Sequence, residues 1–195
     1  MGKKLKNLIL LIIAVVIGSG FFFVNNSTNI HYLASTLDNK IPFIPIFIFP
    51  YLIFIGMFWI ILFYAFAKKN NFLPLVLSII IVYLISYIVY TIFPTCVYRP
   101  TVDIHGFISQ LVKYLYAIDR PCNDFPSIHN SSVAILAVYF YYTNKKANYW
   151  YGIFALFVIL STVFLKQHNI VDVISGLAIG FFVSYFVFRR FAGQE

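Results

Sequence analysis

Apolar runs of about twenty residues constrain the fold of this chain more than any other feature of its sequence. One run covers residues 46–67 and would extend about 33 Å as a helix. That length crosses the hydrocarbon layer of a bilayer, which is about 30 Å thick. Apolar residues make up 62% of the chain and charged residues 10%, far from the averages of soluble proteins. The pattern predicts an integral membrane protein and excludes a water-soluble domain.

Six such runs predict an all-α polytopic protein, with residues 1–195 forming a single integral membrane domain. The predicted transmembrane helices cover residues 5–24, 46–67, 72–93, 127–142, 149–165 and 169–188. The first run follows a lysine-rich start and ends without a small-residue cleavage site. We therefore interpret it as an uncleaved span and not as a signal peptide.

The positive charges predict the orientation of these spans. With the N-terminus in the cytoplasm, nine of the 14 Lys and Arg residues fall inside and five fall outside, as the positive-inside rule requires. Both termini of this multi-pass cell-membrane protein are then cytoplasmic. The charges occur in pairs between apolar runs and form no basic stripe or tail, so nucleic acid is not an expected partner. The oligomeric state stays open.

Three polar clusters lie at the ends of predicted spans, and this topology brings all three to the outer face. Ionisable residues close to the membrane are functional candidates, because hydrocarbon tolerates them badly. The clusters contain six candidate site residues: Arg99, Ser127, His129, Lys166, His168 and Asp172. We therefore predict one shared extracytoplasmic site.

The last cluster has the parts of a phosphoryl-transfer site. His168 and Asp172 are four residues apart, so a helix would place both side chains on one face. A carboxylate behind an imidazole fixes its tautomer and leaves the other nitrogen free to attack. The start of the sixth span would add N–H groups that favour an anion, and Lys166 would add a positive charge.

The other two clusters supply complementary groups. Ser127 and His129 begin the fourth predicted span, where the Ser127 hydroxyl can cap the helix or donate to a phosphate oxygen. His129 suits the role of a general acid that protonates a departing oxygen. Arg99 can bind phosphate in bidentate fashion.

The first two clusters resemble motifs of the type-2 phosphatidic acid phosphatase (PAP2) superfamily, and within it the branch of inositol-phosphorylceramide synthases and sphingomyelin synthases. The first family motif is a lysine, six residues and Arg-Pro. Arg99 and Pro100 match it, and Ile92 stands at the position of the lysine. The second motif, Pro-Ser-Gly-His, is similar to residues 126–129, with Ile128 in place of glycine.

The last cluster resembles the third family motif, which is Ser-Arg, five residues, His, three residues and Asp. Ser161, His168 and Asp172 stand in register with it, and Thr162 replaces the arginine. The resemblance implies a PAP2-like helical bundle whose catalytic half covers about residues 95–176. A bulky residue in place of the second-motif glycine is seen in the phosphotransferase branch.

The resemblance also implies the chemistry. His168 would be the nucleophile that forms a phosphohistidine, Asp172 would orient it, and His129 would be the leaving-group acid. The protein would then be a membrane-embedded lipid phosphatase or phosphotransferase that acts at the outer face. A non-catalytic transporter or lipid-binding scaffold is the alternative.

The resemblance assigns phosphate binding to Arg99, Ser127 and Ser161, and we expect Lys166 to replace a missing motif charge. The substrate would be a lipid phosphate or phospholipid in the bilayer: phosphatidic acid, a polyprenyl diphosphate or a phosphatidyl-headgroup donor. Water or an alcohol can attack the second intermediate, so the sequence leaves hydrolysis and transfer open.

The longest outer connection carries apolar residues at helical spacing between Phe107 and Ile118, which predicts an amphipathic helix in the membrane interface. An ordinary loop with an apolar side is the alternative. Cys96 and Cys122 flank this segment, and the sequence leaves open whether they form a disulfide or two free thiols.

The remaining histidines, His31 and His105, have no matching partner residue and are interpreted as surface residues. The sequence shows no His-Glu-x-x-His pattern and no cysteine pair at metal-ligand spacing. We therefore expect neither a metal nor a cofactor.

Overall fold

A computed structural model describes residues 2–24, 30–103 and 106–193, and over these residues the chain is helical. The helices are α1 (Lys3–Val24), α2 (Thr36–Lys40), a 3₁₀ turn (Pro45–Phe47), α3 (Ile48–Lys68), α4 (Phe72–Ile92), α5 (Phe107–Ile118), α6 (Ile128–Thr143), α7 (Lys145–Phe164) and α8 (Ile170–Phe191). Extended pairing in the described residues is limited to two isolated bridges. The predicted all-α class is confirmed.

Within the described part of the chain, four helical segments are long and apolar enough to cross a membrane. They are Pro45–Lys68, Phe72–Ile92, Lys145–Phe164 and Ile170–Phe191. Large apolar side chains on their outward faces are exposed, as expected of a surface that contacts lipid. The protein is therefore membrane-embedded. The predicted spans at α1 and α6 stay predictions, and α6 has 16 residues, or about 24 Å.

The helix boundaries follow the predicted spans closely, with one exception. The fifth span was expected to begin at residue 149, but α7 begins at Lys145. The Asn144 side chain accepts a hydrogen bond from the Ala147 N–H at 3.0 Å, which caps the helix before the apolar run begins. The predicted boundary is wrong because a polar first turn adds no apolar signal.

The helix α6 lies at the centre of the bundle and packs against α4, α7 and α8. Its closest neighbour is α8, because Gly176 and Gly180 let the two backbones meet. A methyl group at either glycine would overlap the carbonyl oxygen of Ser127 or Ser131. The Ser131 hydroxyl also donates to the Gly176 carbonyl at 2.9 Å. Small residues spaced by four positions are a common device for close helix packing in membranes.

The amphipathic helix predicted for the outer connection is present as α5, and its place at a membrane interface stays a prediction. Its buried residues Val112 and Leu115 pack in a small apolar cluster with Ile48, Tyr51 and Leu165. This cluster joins α5 to the start of α3 and the end of α7.

A disulfide between Cys96 and Cys122 joins the two sides of the outer connection, so the two cysteines are not free thiols. His31 is exposed, as predicted, and its ring stacks on Phe93 with ring centroids 4.5 Å apart. His105 lies outside the described residues.

Candidate active site

The two predicted catalytic histidines are adjacent in space although 39 positions separate them in the chain. His129 lies in the first turn of α6, and His168 lies in the loop before α8. The Nδ1 atom of His129 is 3.3 Å from the Nε2 atom of His168. The structure therefore brings together two of the three clusters at one end of the bundle.

The loop after α7 fixes the position of His168 through backbone hydrogen bonds. The Thr162 carbonyl accepts from the N–H groups of Gln167 at 2.9 Å and His168 at 3.1 Å. Lys166, which lies between Thr162 and Gln167, takes a left-handed conformation with φ 50°, which reverses the chain at the helix end. Thr162 stands where the family motif has arginine, and its hydroxyl donates to the Ile159 carbonyl at 2.8 Å and accepts from the Asn130 side chain at 3.1 Å.

The expectation that His168 and Asp172 share a helical face is wrong. The helix α8 begins at Ile170, after the N-cap residue Asn169, so His168 precedes the helix. Asp172 closes a capping box, in which its Oδ2 accepts from the Asn169 N–H at 2.7 Å. Its Oδ1 and the Nδ1 of His168 are buried and have no hydrogen-bond partner among the described residues. The expected bond between these two side chains is therefore not formed in this structure.

A tyrosine that the sequence analysis missed contacts His129, and an aspartate that it also missed contacts this tyrosine. The Tyr51 hydroxyl of α3 is 2.8 Å from the Nε2 atom of His129 and 3.4 Å from the Asp119 carboxylate. Tyr51 is buried, and Asp119 directly follows α5. No sequence signal could have found Tyr51, because it lies inside an apolar run where a buried tyrosine is ordinary core.

Arg99 lies beside the histidines, as predicted. Its guanidinium donates to the Asp119 backbone carbonyl and to the Gln167 side-chain carbonyl. It also lies 3.7 Å from the Asp119 carboxylate and above the Tyr116 ring, 4.7 Å from its centroid. These contacts bring the first polar cluster to the other two.

Lys166, which we expected to replace a missing motif charge, bonds to backbone carbonyls. Its amino group donates to the backbone carbonyls of Asp38 at 2.9 Å and Ile41 at 2.6 Å. The Asp38 carboxylate accepts from the Ser35 N–H at 2.7 Å and from the Ile170 N–H at 2.8 Å. Ser35, Asp38, Lys166 and Ile170 form what we term the Asp38 anchor, which ties α2 to α8.

The contacts of the Asp38 anchor shift the pKa values of its two charged side chains. Burial raises the pKa of Asp38, but hydrogen bonds from Ser35 and Ile170 and the Lys166 charge outweigh burial and lower it. Burial lowers the pKa of Lys166, and the Asp38 charge acts in the opposite direction.

The hydroxyls of Ser161 and Ser127 also have partners inside the protein. Ser161 donates to the Val158 carbonyl at 2.6 Å. The Ser127 oxygen accepts from Asn130, at 3.2 Å from its N–H and 3.0 Å from its side-chain amide. The predicted helix cap at Ser127 is therefore confirmed, and both serines are fully buried.

Around His168, several buried polar atoms lack a hydrogen-bond partner among the described residues. These atoms are Arg99 Nε, Gln167 Nε2, His168 Nδ1, Asp124 Oδ2 and Asp172 Oδ1. Most buried polar atoms in proteins are paired with protein or ordered water. We term this group the unpaired cluster, and its guanidinium N–H, its amide NH₂ and its imidazole are suited to a polar ligand.

Burial sets the protonation of two groups in this cluster. Burial holds the pKa of His168 well below its usual value, and the nearby His129 and Arg99 charges act in the same direction. The ring is therefore neutral at neutral pH. Burial also holds the pKa of Asp124 well above its usual value, with Asp172 adding to the effect. Asp124 thus retains its proton at pH values where an exposed aspartate is ionised.

A cavity of about 430 Å³ is lined by both histidines at one end and extends into the bundle. It lies among α1, α3, α4 and α6, and its lining along α3 reaches from Tyr51 to Trp59, about 12 Å. Its mouth is polar and includes Asp119, Asp124, His129 and His168.

The deeper wall of this cavity is aromatic and apolar. Three tyrosines line it, and each hydroxyl has a protein partner: Tyr83 bonds Ser132 at 3.1 Å, Tyr87 donates to the Ile17 carbonyl at 2.5 Å, and Tyr90 donates to the Pro126 carbonyl at 2.7 Å. The rings therefore face the cavity with their hydrocarbon surfaces. A few polar groups at an apolar pocket are typical of ligand sites.

Comparisons with known proteins fit this geometry. The family model of the PAP2 superfamily matches residues 71–194, which include both histidines and Asp172 but not Tyr51. An uncharacterized protein of Methanocaldococcus jannaschii is 31% identical over 83 residues, which cover 42% of this chain and 34% of that protein. The chain thus spans about a third of the length of this curated relative. No solved structure matches the chain.

Proposed function

Because the chain belongs to the PAP2 superfamily, we propose that it is a membrane-embedded enzyme that hydrolyses or transfers the phosphoryl group of a lipid. One observation carries the proposal: two histidines 3.3 Å apart stand at the polar mouth of an apolar cavity. A phosphate held at the mouth would leave the lipid chain beside the aromatic wall.

In the first step, Nε2 of His168 attacks phosphorus, and the bond from phosphorus to the lipid oxygen breaks. The leaving oxygen takes the proton from Nδ1 of His129, so an alcohol departs and a phosphohistidine remains. Because the two rings touch in this structure, the phosphate must enter between them. In the second step, His129 accepts a proton from the water or alcohol that attacks the phosphohistidine.

The unpaired cluster supplies the donors for the phosphate oxygens. Arg99 Nε and Gln167 Nε2 are buried and unpaired among the described residues, and charge-assisted bonds from guanidinium to phosphate are strong. Gln167 supports phosphate binding better than Lys166, whose amino group would have to release two carbonyls. Gln167 would thus replace one of the hydrogen-bond donors lost at Ile92 and Thr162, although it carries no charge.

Asp172 keeps its proposed role as the orienting carboxylate. One of its oxygens caps α8, and the other is buried and unpaired, like Nδ1 of His168. When the phosphate separates the two histidines, the His168 ring gains room to turn Nδ1 toward this oxygen. The N–H of Nδ1 would then be held by a carboxylate while Nε2 attacks.

Two features of the substrate are part of this proposal. The hydrocarbon chain would occupy the aromatic cavity, as for phosphatidic acid, a polyprenyl diphosphate or a phosphatidyl-headgroup donor. Membership of the branch with inositol-phosphorylceramide and sphingomyelin synthases would make the second attacking group an alcohol. Both follow from the resemblance and from the bulky Ile128.

The experiment that tests the function uses purified protein with labelled versions of these three lipids. Free phosphate identifies a phosphatase, and a new phosphodiester without free phosphate identifies a transferase. Wild-type protein should also form an acid-labile, base-stable phosphoenzyme. Turnover of none of the lipids, together with no phosphoenzyme, would overturn the proposal.

The proposed topology places the site outside the cell, with six spans and both termini in the cytoplasm. Reporter fusions after Lys69 and Lys146 should then read cytoplasmic, and fusions near Lys113 and Gln167 should read external. A cytoplasmic reading at Lys113 would contradict the extracytoplasmic site.

A further inference from the structure

Tyr51 lies outside the residues that match the PAP2 family model, yet its hydroxyl makes the shortest contact that His129 forms with another side chain in the described structure. The distance from this hydroxyl to Nε2 of His129 is 2.8 Å, against 3.3 Å from Nδ1 to His168. The His129 ring is thus held between a phenol on one side and the proposed nucleophile on the other.

The position of the phenol is fixed by packing on three sides. Tyr51 is 1% exposed and belongs to the cluster that joins α3 to α5 and to the end of α7. Its ring also packs on the His129 ring, with centroids 5.0 Å apart. The hydroxyl is directed toward His129 and Asp119.

Hydrogen-bond chemistry then determines which nitrogen of His129 carries the proton. A carboxylate paired with Arg99 accepts hydrogen bonds and does not donate them, so in its contact with Asp119 the Tyr51 hydroxyl is the donor. With the phenol hydrogen placed on this contact, the phenol oxygen accepts from His129, and Nε2 is the protonated nitrogen. The contact to Asp119 is long at 3.4 Å, and such contacts often tighten when substrate binds.

We propose that Tyr51 and Asp119 are positioning residues that hold the hydrogen on Nε2 of His129, so that Nδ1 is the nitrogen that exchanges protons with the substrate. This inference rests on the proposed role of His129. In the acid step the Nδ1–H bond breaks, its hydrogen goes to the leaving oxygen, and the neutral ring keeps Nε2–H against Tyr51. In the second step Nδ1 takes the hydrogen of the attacking hydroxyl.

Five charged or titratable groups surround the His129 ring. Tyr51 comes from α3, Asp119 follows α5, and Arg99 and His168 come from the outer connection and the loop before α8. Asp124 lines the same cavity mouth. The pH dependence of Tyr51 and Asp119 variants must therefore be compared with a variant that leaves all of these groups in place.

The first test is Tyr51→Phe, with Tyr151→Phe as the matched control. Tyr151 is also buried, and its hydroxyl donates to the Val133 carbonyl at 2.9 Å, away from the site. Tyr51→Phe should lower kcat for a lipid substrate by about 10-fold to 100-fold, with KM nearly unchanged and activated aryl phosphates little affected. The alkaline limb of the kcat profile should move to lower pH, because the His129 cation loses its partner. Asp119→Asn should shift it the same way.

A double-mutant cycle separates a role through His129 from general damage. If Tyr51 acts through His129, Tyr51→Phe should cause no further loss in a His129→Ala background. A loss as large as in the wild type, or an equal loss in Tyr151→Phe, would overturn the inference.

A second measurement needs no turnover, so it distinguishes failure of this inference from failure of the proposed function. Nitrogen NMR of ¹⁵N-histidine protein, with His31 and His105 replaced by glutamine, should show the Nε2–H tautomer for His129. Tyr51→Phe should change this tautomer or its titration, and Tyr151→Phe should not. An Nδ1–H tautomer in the wild type, or spectra unchanged in Tyr51→Phe, would refute the inference.

Discussion

Two polar clusters lie near the start of α8, and they differ in how completely their hydrogen bonds are made. In the Asp38 anchor, both carboxylate oxygens of Asp38 accept hydrogen bonds, and the Lys166 amino group donates to two carbonyls. In the unpaired cluster, buried atoms of Arg99, Gln167 and His168 have no partner among the described residues. The fold itself completes the hydrogen bonds of the first cluster, and we propose that a bound ligand completes those of the second.

The difference suggests a way to distinguish a charged residue that stabilises the fold from one that binds a ligand. Both clusters contain a cation and a carboxylate, and both include residues of the segment 166–172, so composition does not separate them. An unpaired buried donor destabilises the folded protein by about 1–3 kcal/mol. Such a group is retained where binding or chemistry needs it. Variants of the unpaired cluster should therefore change activity more than stability, and variants of the anchor should do the reverse.

The largest effect should come from His168→Ala. Loss of the nucleophile should lower turnover by at least about 10⁴-fold and abolish the phosphoenzyme, while the melting temperature should not fall. The assay is lipid turnover with phosphoenzyme trapping, alongside thermal unfolding in detergent. Retained turnover would refute the mechanism, and a collapse in stability would move His168 into the structural class.

The next effect should come from His129→Ala, and it should depend on the leaving group. With lipid substrates we expect a loss of about 10²-fold to 10⁴-fold, since poor leaving groups need a proton. Activated aryl phosphates should be affected far less, and the phosphoenzyme should still form from them. Equal losses for both kinds of substrate would remove the acid role from His129.

Gln167→Glu sharpens the comparison, because it keeps an oxygen that accepts from Arg99 but replaces the unpaired donor by an acceptor and adds a negative charge. Activity should fall by about 10²-fold, the typical effect of losing one donor to transition-state charge. Stability should be kept, since a carboxylate pairs with Arg99 at least as well as an amide. The control is Gln110→Glu, the same change at an exposed position of α5. Activity equal to the control would remove Gln167 from phosphate binding.

Lys166→Met tests the opposite side of the comparison. Losing two bonds from a partly exposed ammonium should cost about 1–2 kcal/mol, or about 2–8 °C in melting temperature, while kcat changes little. Lys113→Met, at an exposed position of α5, serves as the control. A large loss of activity at unchanged melting temperature would instead support the original expectation that Lys166 binds phosphate.

The smallest effect should appear in the pH dependence. The pKa of His168 is lowered well below its usual value by burial, so the unfolded chain binds a proton that the folded chain does not. The contribution of His168 to stability should therefore fall as the pH drops below about 6.5, and the acid limb of kcat/KM should lie below that pH. Melting temperatures at pH 5 and 7 should differ less in His168→Ala, and an equal difference would contradict a neutral buried His168.

Much of the fold could be predicted from the sequence, because lipid imposes a length and an apolar character on each span. The helices begin and end close to the predicted residues wherever an apolar run meets a polar turn. The short α2 and the extended start of α7 were not predicted, since each depends on a single capping side chain, Ser35 or Asn144.

The site was predicted only where its residues are ionisable and close together in the sequence. His129, His168 and Arg99 meet as expected, but Gln167 was passed over because a neutral amide among charged neighbours carries no signal. Tyr51 was invisible for the opposite reason, since it lies in an apolar run. The capping box at Asp172 shows that a spacing of four residues predicts a shared face only if the helix has already begun.

The backbone contact between α6 and α8 determines which positions around this site tolerate mutation. Gly176 and Gly180 let the helices meet carbonyl against backbone, so the spacing of the segments that carry His129 and His168 does not depend on any side-chain rotamer between them. Substitutions at lipid-facing residues of the other helices should therefore leave the distance between the two histidine-bearing segments unchanged. The same contact excludes any larger residue at Gly176 and Gly180, because even one added carbon would force α6 and α8 apart.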